Sequence, residues 1–212
     1  MKDKNILILS PHTDDAELGC GGTIVKLLEA GNNILWVAFS TAEESLPPGF
    51  PKDTLVKEFR NVTESLGLGN DHVIIHDFKV RKLSERRQDV LEELIKIRKE
   101  FHPDIVVGPS LKDHHQDHHV VANEMIRAFK SSSSIICYEL PWNHIEFNTQ
   151  MFVKLNEEQI RRKIEILNFY KSQFYVQRAY LTEDFIRGLA FTRGAQVGHQ
   201  FAEAFEVIRW IE

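Results

Sequence analysis

Residues 5–31 read Asn5-Ile6-Leu7-Ile8-Leu9-Ser10-Pro11-His12-Thr13-Asp14-Asp15-Ala16-Glu17-Leu18-Gly19-Cys20-Gly21-Gly22-Thr23-Ile24-Val25-Lys26-Leu27-Leu28-Glu29-Ala30-Gly31, a strand, a polar loop and a helix in succession. Ile6 to Leu9 is an unbroken apolar run, which suits a strand buried on both faces of a parallel sheet. The strand is expected to end at Ser10, with Pro11 to Glu17 as a polar turn. Beyond the glycines at 19, 21 and 22, Thr23 to Ala30 is expected to be helical, with Gly31 closing it at C′. The glycine group is not a dinucleotide loop, because positions 19, 21 and 24 read Gly, Gly, Ile where G-x-G-x-x-G needs a third glycine. Its expected role is close helix packing.

The same alternation continues along the chain. Ile34 to Phe39 is a second apolar strand, and Ser45 to Asp53, rich in proline, is a loop that could serve as a lid. Leu55 to Leu66 is an amphipathic helix ended by Gly67, and Val73 to Ile75 is a third strand. Ser84 to Phe101 is the longest clear helix. Strand four is Ile105-Val106-Val107, followed by a helix over Val120 to Phe129 and a fifth strand over Ile135 to Tyr138. Beyond Pro141 the pattern loosens: Glu157 to Tyr170 reads as helix, Glu183 to Phe191 as a weaker one, and Phe205 to Trp210 as a terminal strand. This order implies an α/β fold, a mostly parallel sheet with right-handed crossovers and helices on both faces. No repeat or linker divides it, so residues 1–212 are expected to form a single domain.

Composition narrows the function classes. With 42% hydrophobic and 27% charged residues, the chain can bury a core and is not disordered. A formal charge of −5 argues against a nucleic-acid or anionic-membrane partner. Ile6 to Leu9 is too short for a signal-peptide core, and no stretch approaches the roughly 18 apolar residues of a spanning helix. The two cysteines, Cys20 and Cys137, are expected to be small core residues in a reducing cytoplasm. A homo-oligomer stays open. The unusual feature is ten histidines, four of them at 114, 115, 118 and 119.

In open α/β sheets, ligands bind beyond the carboxyl ends of the strands. His12-Thr13-Asp14-Asp15 follows strand one, and Asp113-His114-His115-Gln116-Asp117-His118-His119 follows strand four. Strands one and four are often neighbours in a doubly wound sheet, so the two loops are expected to meet across one crevice. Histidine and carboxylate from one loop with histidine from the other make a hydrolytic zinc site, which takes three protein ligands and leaves a position for water. Of the adjacent aspartates, one can bind metal while the other acts as base, and an imidazole off the metal can stabilise an oxyanion or protonate an amine. Either cluster alone could be a solvated turn, a helix cap or a metal-sticky tract. Their joint occurrence at two strand ends favours a site.

Pro11-His12-Thr13-Asp14-Asp15-Ala16-Glu17-Leu18-Gly19, with Gly21-Gly22 and His115-Gln116-Asp117-His118, resembles the PIG-L/LmbE-like zinc-dependent N-deacetylase family. Weaker matches are Arg60-Asn61-Val62-Thr63-Glu64, Pro103 to Val107 and Gly198 to Phe205, so the resemblance spans nearly the whole chain. It implies a Rossmann-like sheet and a mononuclear zinc hydrolase that removes an acetyl group from a small-molecule amino sugar of the N-acetylglucosamine type or its conjugate. By similarity, His12, Asp15 and His118 hold zinc, or another divalent transition metal, and Asp14 is the general base. His115 stabilises the oxyanion or acts as acid, Asp117 orients a neighbouring histidine, and Arg60 contacts substrate. His114 and His119 are not needed.

Two departures stand out. The family's His-Pro-Asp-Asp-Glu is His-Thr-Asp-Asp-Ala here, and its His-Pro-Asp-His is His-Gln-Asp-His, so both loop prolines are absent while every reactive side chain is kept. Loop stiffness, and with it rate and substrate preference, is the property this alters. The competing readings are a metal-dependent amidase acting on another N-acyl or thiol-sugar conjugate, and a non-catalytic metal- or ligand-binding module. Trp142, Asn143, His144, Tyr170, Gln173 and Tyr175 fall in the loosely patterned second half, where they could line the cleft or belong to the core.

Overall fold

The computed structural model describes residues 2–212. In chain order the elements are β1 (Asn5–His12), α1 (Asp15–Glu29), β2 (Asn33–Ser40), α2 (Thr54–Ser65), β3 (Val73–Ile75), α3 (Arg87–Phe101), β4 (Ile105–Pro109) and α4 (Gln116–Phe129). They continue with β5 (Ser134–Tyr138), β6 (Met151–Leu155), α5 (Glu157–Leu167), α6 (Lys171–Tyr175), α7 (Glu183–Ala195) and β7 (Phe201–Arg209). The seven strands form one sheet in the order β3-β2-β1-β4-β5-β7-β6. The first five are mutually parallel, and β7 runs antiparallel to both β5 and β6. This is the expected α/β architecture, mostly parallel and covered on both faces.

Strand periodicity divides the core. Ile6 and Ile8 of β1 face a layer built with Ile24 and Leu27 of α1, Phe59 of α2 and Ile160 of α5. Leu7 and Leu9 face the opposite layer, with Leu94 of α3 and Met125 and Phe129 of α4. Both sides of β1 are therefore apolar, which is why its sequence shows no alternation. The strand order reverses between β1 and β4, which pair directly through Ile6–Ile105, Leu7–Val106 and Ile8–Val107. That switch point opens a crevice at the carboxyl end of the sheet.

Several boundaries differ from expectation. β1 runs on to His12, and α1 begins at Asp15 rather than Thr23, passing straight through the glycines. Each interior glycine costs a helix about 1 kcal/mol relative to alanine, but packing demands them here. A Cβ on Gly19 would lie 2.4 Å from Cδ2 of Tyr138, and one on Gly22 would lie 2.5 Å from Cδ1 of Leu155. The helix kinks at Cys20, where φ is −146° and ψ 29°. α4 starts at Gln116, four residues before Val120, and α5 ends at Leu167.

Beyond Pro141, β6 is a strand the pattern did not reveal, and β7 begins at Phe201 rather than Phe205. β7 was obscured because it carries buried glutamates that have partners inside. Glu203 accepts the backbone N–H groups of Gly22 (3.0 Å) and Thr23 (2.7 Å) and pairs with Lys163 Nζ (2.7 Å), and Glu206 accepts from the Ser110 hydroxyl. Cys20 and Cys137 are both free and buried. No helix among the described residues is long and apolar enough to cross a membrane.

Candidate functional site

Both loops that meet at the switch point end in a helix N-terminus. The last residue of β1 is His12, and α1 starts three residues later, so this short connection points its polar side chains across the end of the sheet. α4 is capped by His115, whose Nδ1 accepts the Asp117 backbone N–H at 3.2 Å. Asp14 occupies the N-cap position of α1 but makes no capping hydrogen bond with its side chain. An aspartate there normally caps, so this carboxylate is left for the cleft. Asp15 turns back instead and accepts the His12 backbone N–H at 2.7 Å through Oδ2.

Three polar atoms converge. Asp15 Oδ2 lies 3.1 Å from His12 Nδ1 and 3.2 Å from His118 Nε2, and the two imidazole nitrogens are 3.2 Å apart. Zinc bonds of roughly 2.0–2.2 Å in tetrahedral geometry place neighbouring ligand atoms about 3.3–3.6 Å apart, so this triangle, a few tenths of an ångström tighter, has close to the size and the donor chemistry of a divalent-cation site. The outer nitrogen of each ring is held by a carboxylate. His12 Nε2 lies 3.0 Å from Asp117 Oδ2, and His118 Nδ1 lies 2.7 Å from Asp113 Oδ2. Such partners fix ring orientation and leave the inner nitrogen facing the metal position. His115 adjoins the group, its ring centroid 4.8 Å from that of His12 and 4.6 Å from that of His118. The candidate ligand atoms of His12, His115 and His118 all lie within 4.8 Å of one another.

The electrostatics favour positive charge at the triangle. Burial alone would push His12 and His118 down, but Asp15 outweighs it, with Asp117 adding to His12 and Asp113 to His118. His12 rises to about 9 and His118 to about 10. Burial works against ionisation of Asp15 too, yet the two imidazoles hold its carboxyl well below the usual range. Asp14 goes the other way: burial, then repulsion from Asp15, lifts it to about 6. His115 is lowered to about 4 by burial and by the charges of His118 and His12, so at neutral pH it is an uncharged imidazole. Because its Nδ1 accepts a backbone proton, its own proton sits on Nε2.

The structure brings His12, Asp14, Asp15, His115 and His118 together around an open cleft of ≈ 190 Å³. Asp117 lies beneath His12 and also accepts the backbone N–H groups of Arg81 (2.5 Å) and Leu83 (3.2 Å). Arg81 holds a left-handed φ of 65° in presenting its N–H, the kind of local strain that accumulates at functional sites. Trp142, Asn143 and Gln173 line the cleft. Tyr170 is buried below it, its hydroxyl 2.6 Å from both the Thr13 carbonyl and Glu17 Oε1. Tyr175 is exposed and packs on Phe50, and His144 bonds to Leu140. His114 and His119 are exposed.

Two residues depart from the sequence reading. Arg60 does not line the cleft: it is exposed on α2 and donates from Nη1 to Asn70 Oδ1 at 2.7 Å. Asn70 precedes β3, at the amino end of the sheet, so Arg60 is turned away from the strand ends where the histidines gather. The cation that does line the cleft is Arg178. Asp113, quoted in the second cluster without a role of its own, proves to be a support of the site. Besides holding His118, it accepts the His115 backbone N–H at 2.8 Å, tying two histidines to one carboxylate. The signal was there in its position five residues before His118.

Comparison with known proteins agrees with this arrangement. The family model of PIG-L, GlcNAc-PI de-N-acetylase, matches residues 7–129, which hold both histidine loops. An uncharacterised deacetylase of Escherichia coli K12, YaiS, is 28% identical over 174 residues, covering 81% of this chain and 92% of the relative. Diacetylchitobiose deacetylase of Thermococcus kodakarensis is 24% identical over 226 residues, covering 97% and 83%. The solved structure of N,N'-diacetylchitobiose deacetylase from Pyrococcus horikoshii, complexed with its inhibitor MPG, superposes with a TM-score of 0.80 at 21% identity, covering 97% of this chain and 84% of that one. With more than half of its length matched to the family model, this chain belongs to the PIG-L family of de-N-acetylases.

Proposed function

We propose that the chain is a zinc-dependent hydrolase that removes the acetyl group from an amino sugar of the N-acetylglucosamine type or its conjugate. His12, Asp15 and His118 hold the metal, Asp14 is the general base, and His115 is the hydrogen-bond donor that stabilises the oxyanion. One observation carries the reading: the Asp15–His12–His118 triangle has a second carboxylate, Asp14, next to it that neither caps its helix nor joins an ion pair. A metal-storage site has no use for that extra base. The family match and the names of the relatives favour the same reaction.

A zinc ion in this position supplies Lewis acidity, lowering the pKa of a water and polarising an amide carbonyl. The chain's residues do the rest. Asp14 takes the proton of the attacking water, and burial keeps its basicity above that of an ordinary aspartate. The His115 Nε2–H faces the cleft while Nδ1 is fixed by the start of α4, so the ring donates to the carbonyl oxygen as negative charge develops there. When the C–N bond breaks, the amine must gain a proton, which Asp14 now carries. Asp117 and Asp113 hold the imidazoles still throughout.

The test is zinc content of wild type and Asp15→Ala, paired with acetate release from a panel of N-acetylated amino sugars. The expected result is one zinc per chain, absent from Asp15→Ala, with acetate from at least one substrate. Asp14→Asn should keep zinc and lose about 10²- to 10⁴-fold in turnover. Wild-type protein without zinc overturns the ligand assignment, and full activity in Asp14→Asn removes Asp14 as base.

A further inference from the structure

The cleft lining holds two neutral carboxamides, Asn143 and Gln173, which the hydrolytic chemistry above leaves unused. Asn143 is half-buried in the connection from β5 to β6, and Gln173 of α6 is only 5% exposed. Burying an amide is unfavourable unless its polar atoms find partners, and here each amide is partnered on one side only. Asn143 Nδ2 donates to Asp113 Oδ2 at 3.4 Å, and Gln173 Nε2 donates to the Ser172 hydroxyl at 3.4 Å.

Proton counting fixes which end of each amide meets the protein. A carboxylate only accepts, so the NH2 group of Asn143 is the end turned to Asp113. The Ser172 hydroxyl gives its one proton to Glu58 Oε2 at 2.6 Å, so toward Gln173 it too can only accept. Asn143 Oδ1 and Gln173 Oε1 have no hydrogen-bond partner among the described residues, nor has the second N–H of either amide. The backbones are fixed as well: the Asn143 N–H donates to the Leu140 carbonyl at 2.9 Å, its carbonyl accepts the His114 N–H at 3.0 Å, and the Ser172 N–H donates to Glu58 Oε1 at 2.9 Å. Both amides are therefore held in place before anything binds.

A free carbonyl beside a free N–H matches a hydroxyl group, which both accepts and donates, and an uncharged amide has no charge with which to prefer an ion. The cation of the lining is already engaged, since Arg178 bonds to Tyr180 and is attracted by Asp14. Leu18, Leu55 and Val80 of the same lining offer a hydroxyl nothing.

We propose that Asn143 and Gln173 are specificity-determining residues that each take a ring hydroxyl of the substrate, so that the cleft selects a polyhydroxylated ring over a simple N-acetylated amine. This rests on the deacetylase reading for where the amide bond lies, and deepens it by naming the side chains that recognise the sugar.

Equilibrium binding of amine products tests this without turnover. Calorimetry on the zinc-loaded protein would compare methyl glucosaminide with its 3-deoxy, 4-deoxy and 6-deoxy analogues, on wild type, Asn143→Leu and Gln173→Met. Wild type should lose about 5- to 100-fold in affinity when a hydroxyl taken by an amide is removed. Asn143→Leu should abolish that discrimination at one ring position and Gln173→Met at another, each leaving the other's intact, a pattern that general loosening of the cleft does not produce. Asn143 also touches Asp113, but calorimetry counts only the metal-loaded fraction, so the ratios between ligands stand. Equal affinity of wild type for all four glycosides overturns the proposal, as does discrimination that persists in both variants; persistence in one variant removes that residue. If an apolar variant does not fold, alanine at the same position carries the same comparison. Intact discrimination with no acetate from the N-acetylated counterparts would sink the deacetylase reading and leave the hydroxyl readers standing, whereas acetate release with indiscriminate binding would do the opposite.

Discussion

Asp113→Ala should loosen zinc binding although Asp113 is not one of the three proposed ligands. Its carboxylate orients His118 from 2.7 Å and accepts the His115 backbone N–H at 2.8 Å. Losing an outer partner of this kind typically weakens metal affinity 10- to 100-fold. Zinc held at a hundred times the wild-type Kd stabilises the fold by about 2.7 kcal/mol; for the variant at the same concentration the figure falls to about 1.4 kcal/mol at tenfold weakening and about 0.4 kcal/mol at a hundredfold. A chain of this length gains roughly 2–4 °C per kcal/mol. Wild type should therefore gain about 5–11 °C in Tm on going from chelator to zinc, and Asp113→Ala about 1–6 °C. Differential scanning fluorimetry in EDTA and in a zinc buffer reads both. The difference within each protein is the relevant quantity, because the variant also loses buried hydrogen bonds and melts lower without metal. An undiminished zinc shift in Asp113→Ala would refute the coupling of Asp113 to the metal through His118.

Other perturbations separate chemistry from scaffold. His115→Ala should retain zinc yet lower kcat by about 10²- to 10³-fold, while a loss of zinc would make His115 a ligand. Tyr170→Phe leaves the Thr13 carbonyl and Glu17 without their shared partner, and should cost about 1–3 kcal/mol in urea unfolding; unchanged stability would remove Tyr170 as a brace of the β1–α1 loop. Gly22→Ala drives a methyl into Leu155 and should cost about 1–3 kcal/mol, and a stabilised variant would show that helix propensity rather than packing governs the site.

The sheet was legible where strands are buried on both faces. The apolar runs at Ile6–Leu9, Ile34–Phe39 and Ile105–Val107 lie within β1, β2 and β4, and Val73–Ile75 coincides with β3 although that edge strand is only half-buried. Pairing of β1 with β4, which doubly wound topology implies, brings the two histidine loops together. The start of α1 was hidden because three glycines obscure a helix whose requirement for them comes from Tyr138 and Leu155, far along the chain. β7 was half hidden for a related reason: Glu203 and Glu206 look like surface residues unless one knows that Gly22, Lys163 and Ser110 await them. The displacement of Arg60 had the same origin, since a helical stripe says which face is buried but not which end of the sheet an exposed side chain approaches. Arg178 gave no signal, because it lies in the connection between α6 and α7 and meets the cleft wall beside Tyr180, whose ring stacks on Trp142 from 38 residues away.

The pairing of β1 with β4 also sets when the site can exist. His12 and His118 are separated by 106 positions, and the donor triangle closes only after the sheet has joined strands that β2, β3 and the helices between them hold apart in sequence. A chain emerging from the ribosome thus has no assembled donor triangle until α4 has been made, and its early histidine loop carries two of the three proposed ligands, His12 and Asp15. Zinc uptake during refolding is accordingly a clock for this one strand contact: it should lag collapse and secondary-structure formation, and follow the rate at which β4 docks beside β1.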